Sequence, residues 1–173
     1  MPGLFVRRHA EAISLKSDVD VLYVVADPSL KPGHHLIEQF TEGPIREFKI
    51  YFGKHRLSFL NAIGFLRWYY HGLRLTGKPD ITHVHVLTRT ALPALWLRFT
   101  AGVPYLITEH WSRYLPTNVE AGAYKGWLRR WITSIAVKKA FAVTTVTENL
   151  ASAMQRLRLK NRYIITPNVA DTH

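Results

Sequence analysis

The spacing of apolar residues along this chain changes several times, and each change marks an element. Val19 to Ala26 (VDVLYVVA) is a near-continuous apolar run, the pattern of a parallel strand buried on both faces. Ile45 to Phe52 alternates better, with Ile45, Phe48, Ile50 and Phe52 apolar, and predicts a strand nearer a sheet edge. Ile81 to Val86 is a β-branched run that carries two histidines. Tyr105 to Thr108, Ala142 to Thr147 and Tyr163 to Thr166 complete the predicted strands. Between them, helical spacing predicts helices over Phe5 to Leu15, Ser58 to Leu75, Ala91 to Thr100, Gly122 to Ala140 and Glu148 to Leu159. Turn chemistry punctuates the series. Asp27 to His35 holds two prolines and a glycine and reads as a loop. Ser58 suits an N-cap and Gly77 a helix stop. Gly102 and Pro104 end the third helix, Thr147 caps the last one, and Pro167 closes the final strand. In the helix from Gly122 the expected core stripe is Leu128, Trp131, Ile132 and Ile135.

Two strands joined by a crossover of about 18 residues, as from Ile81 to Thr108, make a parallel βαβ unit. Repetition of that unit predicts an α/β fold: a doubly wound, mostly parallel, Rossmann-like sheet. Ligands of such sheets bind outside the carboxyl ends of the strands, which selects Glu109, His110 and Trp111 as a site region. Folds of this class begin with a central strand, whereas this chain opens on Gly3 and a helix. The reading is therefore a single domain over residues 1–173 that lacks its first strand, a fragment of a longer two-domain protein. The strands beside the missing one are expected to show open edges, to which a second copy pairs or along which a groove remains.

Charge adds a second theme. The net charge is +11, and from Ala121 to Arg162 nine cations stand against one acid, Glu148. Such a segment either attracts phosphates, anionic lipid or nucleic acid, or is a solvated face. No apolar run reaches the ~18 residues of a spanning helix, and Arg7, Arg8 and Glu11 come too early for a signal peptide. The expected location is cytoplasmic. There is no cysteine, hence no disulfide and no thiolate metal site.

Individual residues carry candidate chemistry. His83 and His85 are two apart and face one side of their strand. They lack a third donor at metal-ligand spacing, so no metal site is expected. The expectation is that one is packed and hydrogen-bonded, and that His85 borders the cleft. His110 sits at a strand end, where it either donates to a sugar hydroxyl or developing charge, or is a satisfied histidine at the core's rim. Glu148 and Asn149 open a helix, a position the helix dipole already explains for an acid. Gly3 before a helix would let a backbone amide approach a phosphate. Trp127 and Trp131, four apart among arginines, fit core packing or a membrane interface. No GxGxxG, GxxxxGK[ST] or GxSxG is present, against nucleotide-sugar epimerases, P-loop nucleotidases and serine hydrolases.

Four segments together resemble the N-terminal half of retaining glycosyltransferases of the GT-B fold, the family-four type. They are GLFVRRHAEAI, DITHVHV, VPYLITEHWSRYLP, and VTTVTENLASAM with ITPNVAD. The resemblance implies transfer of a sugar from a nucleotide-diphosphate donor with retention, in cell-surface polysaccharide or glycolipid synthesis. It implies no cofactor and no metal. His110 matches the histidine that contacts the transferred sugar near the reacting carbon. Gly3 matches the loop glycine near the donor phosphates. Glu148 and Asn149 match the polar helix start facing the cleft, and Asn168 the asparagine leading to the second domain. His85 and Arg113 fall at the acceptor side or rim. The family's second Rossmann-like domain, which binds most of the donor, has no counterpart in this sequence, so the chain alone is expected to be inactive. A basic, aromatic surface suits a lipid-linked acceptor at the inner membrane face. The alternative is a free-standing anion- or ligand-binding α/β module without catalysis. Nucleic acid is not an expected partner, because the cations show no recognition motif.

Overall fold

The computed structural model describes residues 4–87, 89–120, 122 and 124–167. Their elements form two compact units, residues 1–78 and 79–173, with the α/β, Rossmann-like architecture of parallel strands joined by helices.

In the first unit, α1 (Leu4–Ser14) precedes a three-stranded sheet and α2 (Ser58–Thr76) follows it. The strands are β1 (Val19–Asp27), β2 (His35–Glu42) and β3 (Ile45–Gly53), in the order β1-β3-β2. β1 and β3 pair in parallel, Val24 opposite Ile50. β2 and β3 form an antiparallel hairpin closed by Gly43 and Pro44. Gly43 has φ +57°, as the first central residue of a type II′ turn requires. β3 is thus the middle strand, not one nearer an edge. The hairpin partner β2 was not anticipated, because its residues are half-buried or exposed along their length and Leu36 and Ile37 break the alternation. Val24, Ile50, Phe52 and Tyr69 form the core, with Leu22, Phe65 and Trp68 against it. α2 ends at Gly77 in a positive φ, as expected. Its N-cap position is Leu57, without a side-chain cap, so Ser58 does not serve as one.

In the second unit all four strands are parallel. β4 (Thr82–His85), β5 (Tyr105–Glu109), β6 (Ala142–Thr145) and β7 (Tyr163–Ile165) lie side by side in chain order. The connecting helices are α3 (Ala91–Ala101), α5 (Trp127–Lys139) and α6 (Glu148–Arg156). A 3-10 turn (Ser112–Tyr114) and the short α4 (Pro116–Glu120) lie between β5 and α5. Right-handed crossovers that always step the same way put their helices on one face. The core agrees: Val84, Tyr105, Ile107 and Val143 from the strands meet Ala94, Leu95, Ala136, Val137, Leu150 and Met154 from the helices. α3 ends at Gly102 with φ +70°, whose N–H bonds to Leu97 O.

α5 departs from expectation. It starts at Trp127, after Gly126 at φ +94°. Its buried face is Thr133, Ala136 and Val137, continued by Ala140. Trp127, Leu128 and Trp131 are 78%, 50% and 59% exposed, so the tryptophans are not core. Small side chains let the helix approach the sheet closely, and the large ones are left outside. Among the described residues, neither β1 nor β4 has a second neighbour within its own sheet.

Candidate functional site

Parallel pairing brings the carboxyl ends of β4, β5 and β6 to one edge of the second unit's sheet. His85 is the last residue of β4, and His110 directly follows β5. Their rings stack, with centroids 5.8 Å apart and planes 20° off parallel. His83 lies against the other side of His85, at 4.1 Å. The sequence thus placed both strand histidines on one face, and the structure continues the row to His110.

A polar ladder supports this row. His83 Nε2 lies 2.5 Å from Thr108 Oγ1, and Thr108 Oγ1 lies 2.6 Å from Thr144 Oγ1. Thr144 donates to the Ile107 carbonyl oxygen at 3.4 Å. The His83–Thr108–Thr144 contacts form one continuous hydrogen-bonded chain across the three strands. His83 is the packed, hydrogen-bonded histidine. The ladder occupies positions of β4, β5 and β6 that alternate with the apolar Val84, Ile107 and Val143.

The loop after β4 is held under strain. Val86 has φ +63°, a conformation that costs a β-branched residue of order 1–2 kcal/mol. Its N–H bonds to Thr108 O at 3.0 Å, and its carbonyl accepts from Thr90 Oγ1 at 2.8 Å. The next residue, Leu87, donates its N–H to Glu109 Oε2 at 2.9 Å and accepts from Tyr114 Oη at 3.5 Å. Glu109 Oε1 takes the N–H groups of His110 and Trp111 at 3.1 and 2.9 Å. One fully buried carboxylate thus latches the loops that follow β4 and β5. Burial holds its pKa above the ordinary carboxylate value. The three backbone donors and Arg113 pull the other way without overcoming it.

Arg113 lies in the 3-10 turn with its guanidinium 4.1 Å from the Trp111 ring centroid. Its Nε is buried and has no hydrogen-bond partner among the described residues. Glu148 and Asn149 stand exposed in the first turn of α6. Thr147 caps that turn by accepting from Leu150 N at 3.2 Å. The 3-10 turn packs against α6. Gly3 and Asn168 lie outside the described residues. Among the described residues, no three His, Cys, Asp or Glu side chains gather to hold a metal.

The structure therefore brings His85 and His110 together, and it puts Glu148 and Asn149 just beyond the neighbouring strand. Sequence reading missed Glu109 as a latch and Val86 as a strained joint. The threonines had a legible signal: polar residues inside strands expected to be apolar. The strain at Val86 had none.

The chain matches the glycosyl transferase 4-like domain over residues 5–168. It belongs to that family. No curated protein gives a significant match. A parallel α/β sheet flanked by helices is the Rossmann-like form such a domain takes, and the histidine row stands where ligands of that form bind. No described helix is long and apolar enough to cross a membrane.

Proposed function

We propose that this chain is the acceptor-side domain of a retaining glycosyltransferase of GT-B architecture. It serves transfer of a sugar from a nucleotide-diphosphate donor to a hydroxyl of a sugar or lipid-linked acceptor, without metal or other cofactor. The pathway is synthesis of a cell-surface polysaccharide or glycolipid on the cytoplasmic side of a membrane. The observation that carries this reading is the His85–His110 stack at the carboxyl edge of a parallel sheet, in a chain of this family.

In the reaction the bond from the anomeric carbon to the diphosphate breaks, a bond to the acceptor oxygen forms on the same face, and the acceptor hydroxyl's proton passes to the departing diphosphate oxygen. Positive charge develops at the sugar in between. His110 supports the sugar and that charge through its ring or its main-chain carbonyl. Gly3, Glu148, Asn149 and Asn168 contact the donor. His85 and Arg113 line the acceptor side, and the buried Arg113 Nε supports an oxygen ligand there. The latch at Glu109 fixes the histidine-bearing loops before substrate arrives, which removes ordering cost from the reaction. A second domain supplies most donor contacts and holds the departing diphosphate. Saturation-transfer NMR against a panel of nucleotide sugars tests the reading: sugar-ring contacts are expected, and they disappear in His110→Ala. Contacts indifferent to that substitution overturn the role of His110, and turnover by the 173 residues alone overturns the division of labour.

Exposed Trp127, Leu128 and Trp131, interleaved with Arg129 and Arg130, support contact with an anionic membrane surface. Co-sedimentation with vesicles containing phosphatidylglycerol checks it. Wild-type protein is expected to pellet, and Trp127→Ser/Trp131→Ser protein is expected to stay in solution. Equal pelleting of both proteins rejects this surface.

A further inference from the structure

The first unit contains a cavity that the histidine row does not use. It has a volume of about 280 Å³, near the lower end of ligand pockets. One wall is a single face of α2, with Ile63, Gly64, Arg67 and Trp68 at helical spacing. The opposite wall is the carboxyl end of β3 and the start of β2. This is the edge at which parallel strands β1 and β3 end, where sheets of this kind bind ligands.

The cavity is built rather than left over. At Gly64 a Cβ would stand 2.8 Å from Phe52 Cε2, and at Gly53 one would stand 1.9 Å from the Lys31 carbonyl oxygen. Both glycines permit close approaches that a side chain forbids. Buried Asn61 spends its amide on the loop after β3. It accepts from His55 N and donates to His55 O, both at 2.8 Å, and so fixes His55 at the rim. The His35 ring lies 4.3 Å from the Trp68 indole, and the Arg67 guanidinium lies 5.9 Å from the same indole.

The lining has one sign of charge available and no other. It holds Arg67, His34, His35 and His55, and neither aspartate nor glutamate. Asp27, at the end of β1 opposite Gly53, is the nearest acid by register; one of its oxygens accepts from the N–H and hydroxyl of Ser29, which keeps it ionised. Beside these donors lie Phe52, Leu60, Ile63 and the face of Trp68. A cationic fork, imidazole donors and an aromatic and aliphatic floor fit one ligand chemistry: a phosphate on a ring or apolar body.

We infer that residues 33–68 form a binding site within the first unit, for a phosphomonoester carried on a ring or apolar group. The inference does not depend on the glycosyl transfer reading. Isothermal titration of the full chain with phenyl phosphate, inorganic phosphate and phenol tests it. Phenyl phosphate is expected to bind saturably and tighter than inorganic phosphate, and phenol to show no binding. Arg67→Gln is expected to weaken phenyl phosphate about tenfold, the loss of one charge-assisted hydrogen bond. His55→Gln should weaken it in the same direction. NMR shifts of His35, His55 and the Trp68 indole give a readout that does not rely on the variants folding. Phenyl phosphate that binds no better than phenol, or that ignores Arg67→Gln and shifts none of these signals, overturns the site. Displacement of phenyl phosphate by phosphatidic acid vesicles would identify a lipid headgroup as the source of the phosphate. Retention would identify a soluble phosphomonoester.

Discussion

Removing the carboxyl group of Glu109 tests whether one buried side chain organises the edge of the second sheet. Glu109→Ala leaves three backbone N–H groups, those of Leu87, His110 and Trp111, without their acceptor. A buried donor left unpaired costs about 1–3 kcal/mol. If the shortened side chain admits water to one of them, two remain, and the expected loss is about 2–6 kcal/mol. That is a large share of the ~5–15 kcal/mol by which a typical domain is stable. Glu109→Gln keeps the size and one acceptor but cannot ionise. Because burial raises the Glu109 pKa in the folded state, the folded protein binds its proton more tightly than the unfolded chain. The wild-type residue's contribution is then complete below the unfolded value of about 4.3 and is lost as pH rises through the raised folded value. The Gln variant should therefore gain on wild type as pH climbs through that window. Urea unfolding of all three proteins across a pH series reads both effects, and the comparison with Gln cancels other titrating groups. An Ala variant within ~1 kcal/mol of wild type would refute the latch. A Gln variant that falls further behind as pH rises would show that the three N–H donors outweigh burial.

Three further substitutions test other joints. Asn61→Ala removes both hydrogen bonds to the His55 backbone and should cost about 1–3 kcal/mol, read by thermal melting. It should also raise hydrogen exchange at residues 54–57. Gly72→Ala would place a Cβ 2.4 Å from Leu22 Cδ1 and 3.2 Å from Ile50 Cδ1. Overpacking of about 1–3 kcal/mol against a helix-propensity gain of about 1 predicts a net loss, and an unchanged melting temperature would mean that Leu22 simply swings aside. Gly102→Ala puts a Cβ on a residue at φ +70° with open space around it, so the loss should be about 1 kcal/mol of backbone strain alone. A larger loss in denaturant titration would show that the α3 cap does more than turn the chain.

Strand positions were legible because the parallel strands concentrate β-branched residues, as Val19–Asp27 and Tyr105–Glu109 do; the expected burial of Val19–Asp27 on both faces does not hold, since in that strand only Val24 is buried. The hairpin strand His35–Glu42 was not, because an edge strand with little burial carries no clear period. Hydrophobicity also misjudged α5. Contact with the sheet selected the small Thr133, Ala136 and Ala140, while Trp127 and Trp131 went outward. Within the site, His110 was found from its place after a strand, a property of the local sequence. The latch at Glu109 was not, because its partner Leu87 lies 22 residues away and offers only a backbone N–H. The cavity of the first unit escaped for the same reason, since its walls come from a strand end, a loop and a helix face that only the fold assembles.

The order of the strands has a consequence for how the polypeptide acquires its shape. In the second sheet spatial order equals chain order, so each strand docks beside the one made just before it. Such a sheet can grow in one direction as it leaves the ribosome, each step closing a crossover that carries its own helix. The first sheet cannot, because β3 must end up between β1 and β2. Its hairpin, closed by two residues, is the local event, and capture of that hairpin by β1 is the slower, non-local one. Folding kinetics of residues 1–78 should therefore turn on the Gly43–Pro44 corner.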